Sequence, residues 1–224
     1  MARVAVSWSA GKDSMLALLR AREQGLAVAT LLTMCEADGT SKSHALAPAL
    51  IEAQAAALGL AWRPARVADE AGAYGRAFAD ALAALHGDGH DGIVFGDIDL
   101  QAHRDWLEPA CARAGLRAHF PLWGEPRAAL AREIVARGIR ARLVCVDAAR
   151  LDAGFCGADY DAQLLDRLPK PVCPCGEDGE FHSFVFDGPG FAAPLSLRSL
   201  GQERVASRPP LAATTLVFDR LVLA

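Results

Sequence analysis

Short apolar runs alternate with segments of helical periodicity along most of the chain. Residues 3–6, 28–33, 92–96 and 142–146 are short, apolar and rich in β-branched side chains, as buried strands are. Between them, residues 14–23, 44–58, 71–85, 102–114 and 126–137 place apolar side chains at helical spacing. Gly25, Gly59, Gly115 and Gly138 follow four of these segments, where a helix commonly ends in a left-handed residue. Strand, helix, strand at this spacing predicts parallel pairing through right-handed crossovers, with helices on both faces: a doubly wound α/β domain with a parallel sheet.

The rhythm changes after Asp147. Residues 151–171 are acidic and aromatic around a short helix in YDAQLLDRL, and the glycine-rich turn CPCGEDGE leads into a strand over 181–186. Residues 214–223 read as a closing strand. The pattern predicts a main domain over 1–150 and a smaller α+β lobe over 151–224.

Composition narrows the partners. In 224 residues, 52% are hydrophobic and 22% charged, which fits a core-bearing globular protein. A net charge of −4 argues against coating nucleic acid by bulk positive charge, so no DNA partner is expected, and RAR at 140–142 reads as a solvated strand entrance. No run approaches the roughly 18 apolar residues of a membrane span, and Gly11, Lys12 and Asp13 stand where a signal peptide would be apolar. The expected location is the cytoplasm, and the assembly considered is a homodimer. Six scattered cysteines suit reduced, packed thiols. Cys173 and Cys175 are one residue apart, not at zinc or redox spacing, and with His182 nearby they read as a turn before a metal site.

The chemistry concentrates in SWSAGKDS, residues 7–14, between the first strand and the first helix. In an open parallel sheet that turn presents backbone amides and a helix N-terminus to an anion, and small residues let phosphate approach closely. Ser9, Ser14 and the amides around Ala10 and Gly11 can donate to phosphate, Lys12 adds positive charge, and Asp13 can hold magnesium. Helix capping would account for Ser9 or Asp13, not for the glycine and lysine between them. The stretch is neither a Walker A loop, since Val6 stands at its first glycine and Asp13 follows the lysine, nor a GxGxxG fingerprint.

Ser9 to Ser14 resembles the PP-loop of ATP pyrophosphatases, SGGxDS, with Ala10 departing from the usual glycine, a cost on the order of 1 kcal/mol if that position needs a positive φ. GDIDLQAHRDWLEPACARAGLRAHFPLWGE (96–125), CGEDGEFHSFVFDGPGF (175–191), and Thr33-Met34 followed by His44 are similar to the signature blocks of the diphthine-ammonia ligase family. The resemblance implies an adenine-nucleotide α-hydrolase-like domain, a family-specific C-terminal domain, and use of ATP with Mg2+. It also implies a reaction that adenylates a carboxylate, releasing pyrophosphate, and captures it with ammonia to give an amide.

On that reading Gly96 and Asp97 end a strand beside the nucleotide, with Asp97 on metal or ribose, against a plain N-cap. Arg104 clamps phosphate or a substrate carboxylate, against a surface ion pair. Glu177 and Glu180 flank Gly179 in a turn that aims carboxylates across a cleft to orient or deprotonate the amine, with His182 assisting, against a solvated acidic turn. Trp123 packs on the nucleotide edge or a lobe interface, and Met34 and His44 lie near the adenine, or are core groups. The partners implied are a carboxylate-bearing substrate, small molecule or protein, and ammonia. The family's target is an elongation-factor histidine, but heavy use of alanine and arginine suggests a GC-rich bacterial source, where that target is not expected, so the acceptor stays open. A tRNA-modifying PP-loop enzyme and a nucleotide-binding regulator without turnover are the alternatives; the first lacks a basic RNA-binding appendage.

Overall fold

A computed structural model describes residues 1–206 and 213–224. The chain forms two compact units, Met1–Ser9 with Asp13–Glu125, and Ala10–Lys12 with Pro126–Ala224.

The first unit runs β1 (Arg3–Ser7), α1 (Lys12–Glu23), β2 (Ala27–Cys35), α2 (Pro48–Ala57), β3 (Ala61–Arg66), α3 (Ala73–Gly87), β4 (Gly92–Val94), α4 (Gln101–Arg113) and β5 (Arg117–His119). The strands form one sheet in the order β3-β2-β1-β4-β5, every neighbouring pair parallel. This is the expected doubly wound α/β architecture. Strand order reverses between β1 and β4, so a crevice opens beyond their carboxyl ends, where ligands bind in such sheets. Phe78, Leu82 and Leu85 of α3 and Leu107 and Cys111 of α4 bury themselves with Ala5, Leu32 and Ile93 on one face of the sheet. Each such Leu or Phe contributes roughly 1.5–3 kcal/mol by leaving water.

Two boundaries shift from expectation. α2 starts at Pro48, not at residue 44, because proline suits the first helical position and forces Ala47 into an extended conformation (φ −62°, ψ 143°). α1 starts at Lys12, so Lys12 and Asp13 lie in its first turn. The four anticipated glycines, Gly25, Gly59, Gly115 and Gly138, all have positive φ.

The second unit contains α5 (Arg127–Ala136), β6 (Arg140–Asp147), β7 (Asp159–Tyr160), α6 (Ala162–Arg167), β8 (Phe181–Asp187), β9 (Leu197–Ala206) and β10 (Thr215–Leu223). Its pairings are antiparallel. β7 and β8 both pair with Ala141 and Arg142, and β8 and β10 both pair with Cys145 and Val146, so β7 and β10 share one edge of β6 and β8 takes the other. The run at 142–146, expected in the parallel sheet, is therefore the centre of the second sheet. The second compact unit takes in Pro126–Ala224 together with Ala10–Lys12. A strand buried on both faces reads as a continuous apolar run in either kind of sheet, so the run could not reveal its partners.

Candidate functional site

β1 ends in a fixed loop. The Trp8 amide donates to the Leu32 carbonyl (2.7 Å) and its indole Nε1 to Gln54 Oε1 (2.8 Å), both side chains being buried. The Thr33 hydroxyl donates to the Trp8 carbonyl (3.0 Å) and accepts from Trp62 Nε1 (3.1 Å). His44 Nδ1 lies 2.6 Å from the Ser9 carbonyl, which requires the Nδ1–H tautomer. Within the loop, the Ser9 hydroxyl donates to Ser14 Oγ at 3.2 Å.

Ala10 sits at φ +70°, the left-handed region in which glycine is at ease. Its strain is about 1 kcal/mol, and the methyl, fully buried, returns roughly 0.8 kcal/mol, so alanine is nearly neutral there. Gly96 is favoured by space: a Cβ would lie 3.0 Å from the Ser14 amide nitrogen and 3.1 Å from the Asp13 carbonyl carbon. Gly96 thus brings the end of the β4 segment hard against the first turn of α1, at the point where strand order reverses.

The other expected residues of this unit divide. Asp97 accepts from His103 Nδ1 at 2.9 Å and keeps part of its carboxylate open. Arg104 bonds Glu108 (2.8 Å) and lies flat on two rings, its Cζ 4.8 Å from the Trp123 centroid and 5.2 Å from that of Phe120. Trp123 is therefore the platform for Arg104. Met34 packs against the core beneath α3 and α4, and His44 holds the loop backbone. A residue the motifs did not flag, Arg20, donates to the Pro121 carbonyl (3.0 Å) and to both oxygens of Glu125 (2.5 and 3.1 Å), fixing the PLWGE segment to α1.

The remaining candidates lie in the second unit. Lys12 is only 2% exposed; its Nζ donates to the Cys175 carbonyl (2.5 Å) and lies 5.4 and 5.3 Å from the centroids of Tyr160 and Phe181. The ammonium thereby holds the CPCGEDGE turn. The Lys12 amide donates to Ser183 Oγ (3.2 Å), and the Val185 amide to the Ala10 carbonyl (3.0 Å), so β8 grips residues 10–12.

Glu180 corrects the sequence reading. It is 3% exposed, and its two oxygens accept the amides of Cys173 (2.7 Å) and Asp178 (3.0 Å). A buried carboxylate with both oxygens so engaged organises the turn; it is not an open general base. Glu177, half-buried, is the carboxylate of the pair with access to solvent. Gly176 is obligatory, since at φ +73° a Cβ would stand 2.6 Å from the Phe181 carbonyl oxygen. All six cysteines are buried free thiols, and Tyr160 donates to the Pro174 carbonyl at 2.8 Å. Among the described residues no three of His, Cys, Asp and Glu gather as a metal set.

Burial and the Lys12 ammonium push the His182 imidazole down to about 4. The folded state therefore disfavours the proton that the unfolded chain takes up below pH 6.5. Stability is full above pH 6.5 and is lost as pH falls to about 4, by at most roughly 3 kcal/mol. Denaturant titrations from pH 7 to 4 should show this slope, and His182→Gln should flatten it; an unchanged slope in the variant would assign the effect to other groups.

A family model described as the diphthamide synthase N-terminal domain matches residues 2–118, over half of the chain. The chain belongs to the diphthamide synthase family. The model of that family's C-terminal domain matches residues 126–207, starting where the second compact unit resumes. Relatives named diphthine–ammonia ligase include those of Schizosaccharomyces pombe, 35% identical over 105 residues, and Danio rerio, 34% identical over 106. The match covers 45% of this chain in each case, but 17% of the yeast protein and 42% of the fish protein, so the chain aligns with less than half of either relative. The mouse relative, 32% identical, is matched over 40% of its length and 45% of this chain. A solved chain from Methanocaldococcus jannaschii, described as a predicted subunit of tRNA methyltransferase, is similar at TM-score 0.47 and 16% identity, over 84% of this chain and 98% of that one.

Proposed function

We propose that the chain is an ATP-dependent amide-forming ligase that adenylates a carboxylate, yielding AMP and pyrophosphate, and transfers ammonia to it. Diphthine, named in the relatives, is the first acceptor to test. The observation that carries this reading is the junction at Gly96, where the absence of a side chain lets the end of β4 meet the start of α1 without displacing its backbone. Around that junction the Ser9 and Ser14 hydroxyls, small backbone positions and a helix N-terminus supply what phosphate needs.

Magnesium, when bound, would neutralise phosphate charge. It usually takes one or two protein carboxylates alongside phosphate oxygens, and Asp13 and Asp97 are the residues offered. On this reading Ser9, Gly11 and Ser14 hold the departing pyrophosphate and Glu177 orients or deprotonates the amine. Lys12 and Glu180 act as positioning residues, fixing the loop and the turn. The buried free thiols support a reducing compartment such as the cytoplasm.

Asp13→Asn keeps the size and the hydrogen-bonding capacity of the side chain but removes its charge. Turnover should fall at least ~10-fold, equivalent to ~1.4 kcal/mol in the barrier, with an unchanged denaturation midpoint. The first turnover's pyrophosphate release should require ATP and the acceptor, and continued release ammonium as well; normal release by Asp13→Asn would remove the metal role, and ADP with phosphate as products would refute adenylation.

A further inference from the structure

Among the described residues only two that are not glycine have a positive φ, Ala10 (+70°) and Ala45 (+52°). That conformation is costly for any residue with a Cβ. Ala45 is exposed, so burial of its methyl offsets nothing. The two alanines stand one residue beyond the partners of a single hydrogen bond, in which His44 Nδ1 donates to the Ser9 carbonyl at 2.6 Å. Strain thus flanks that bond on both segments, and strain of this kind persists only where the surrounding contacts over-determine it.

The contacts around Ala45 form a closed strap between β2 and α2. The Lys42 amide donates to the Met34 carbonyl, the Ser41 amide to the Leu46 carbonyl and the Ala45 amide to the Ser41 carbonyl, each at 3.0 Å. The Leu46 amide donates to Ser41 Oγ, also at 3.0 Å, and both Ser41 and Leu46 are buried. This turn aims His44 at Ser9. The Ser43 hydroxyl, 3.2 Å from Nδ1, shares the same proton as a second acceptor.

A peptide unit is planar, with its carbonyl and its N–H on opposite sides. Drawing the Ser9 carbonyl toward His44 therefore turns the Ala10 N–H away from the strap. The Val185 amide, 3.0 Å from the Ala10 carbonyl, likewise turns the Gly11 N–H away from β8. Successive N–H groups set in this way around a left-handed residue make a concavity for an anion. We propose that His44 is a positioning residue for nucleotide binding: through the Ser9 carbonyl it sets the peptide planes that phosphate meets, and Ala45 in its left-handed conformation holds it there. The proposal rests on the nucleotide site assigned to residues 9–14.

Calorimetric titration with α,β-methylene ATP and magnesium, well below the unfolding transition of each variant, is the test. His44→Phe keeps a ring and removes the donor, and affinity should fall at least ~10-fold. His44→Asn places an N–H where Nδ1 stands and should stay within ~3-fold of wild type. Ala45→Gly retains the left-handed region and should bind as wild type does, whereas the β-branched side chain of Ala45→Val disfavours it and should lose affinity as His44→Phe does. Urea denaturation of the same variants establishes that the titrated protein is folded. A folded His44→Phe with wild-type affinity, whatever its midpoint, would make the contact merely structural and overturn the proposal. Equal losses in His44→Asn and His44→Phe would assign the effect to the ring and not the donor, and would overturn it too. If the analogue fails to bind the wild type, or binds without shifting the amides of residues 9–14, the nucleotide site itself is misassigned and the proposal falls with it.

Discussion

Gly96→Val is expected to lower ATP affinity at least ~100-fold, about 2.7 kcal/mol. The branched side chain would enter a space in which even a Cβ approaches the Ser14 nitrogen at 3.0 Å, the Asp13 carbon at 3.1 Å and the Ser14 Cα at 3.2 Å. These neighbours are backbone, so no rotamer change can make room. The first turn of α1 must move, and with it the Asp13 and Ser14 groups proposed to meet phosphate. Gly96→Ala asks for a shift of a few tenths of an ångström and should show a smaller loss in the same direction. Calorimetric titration of ATP measures both. Wild-type affinity in the valine variant would mean that the nucleotide lies elsewhere.

Glu180→Ala is expected to destabilise the protein by at least about 3 kcal/mol, because hydrogen bonds to a charged group contribute roughly 1.5–3 kcal/mol each and both partner amides would be stranded. The variant deletes the acceptors of the Cys173 and Asp178 amides inside a turn that also holds Lys12 through the Cys175 carbonyl. Glu180→Gln keeps one acceptor and should cost less. Glu177→Gln should leave the denaturation midpoint within about 0.5 kcal/mol of wild type yet slow amide formation ~100-fold, the size of a general-base contribution. Urea denaturation of the three variants separates the roles. A stable Glu180→Ala with lost turnover would return Glu180 to the reacting groups.

The doubly wound sheet was legible because its central strands are apolar and its helices periodic and glycine-closed. The edges were not. β3 reads AWRPAR and is only alternately half-buried, as an edge strand with a proline can be, and β5 has three residues. Neither carries an apolar run that marks it as a strand. β9 is exposed along nearly its whole length and carries no apolar pattern; its pairing with β10 makes it a strand.

In the site, residue type announced the loop but not the division of labour. Ala10, standing where the motif usually carries glycine, has a positive φ. Nothing in GEDGE distinguishes Glu177 from Glu180, because their difference is burial under backbone amides contributed by Cys173 and Asp178. Nor does the sequence reveal that β8 and the rings of Tyr160 and Phe181 enclose Lys12.

The most direct measurement is the backbone amide spectrum of the 15N-labelled protein titrated with α,β-methylene ATP and magnesium, an analogue whose α–β linkage cannot be cleaved. The largest shifts should fall on Ser9 to Ser14 and on Gly96 and Asp97, saturating together at one affinity. If those amides stay in place while the analogue binds and shifts another surface, such as the groove lined by Arg63, Arg66 and Arg76, the nucleotide site assigned here is wrong.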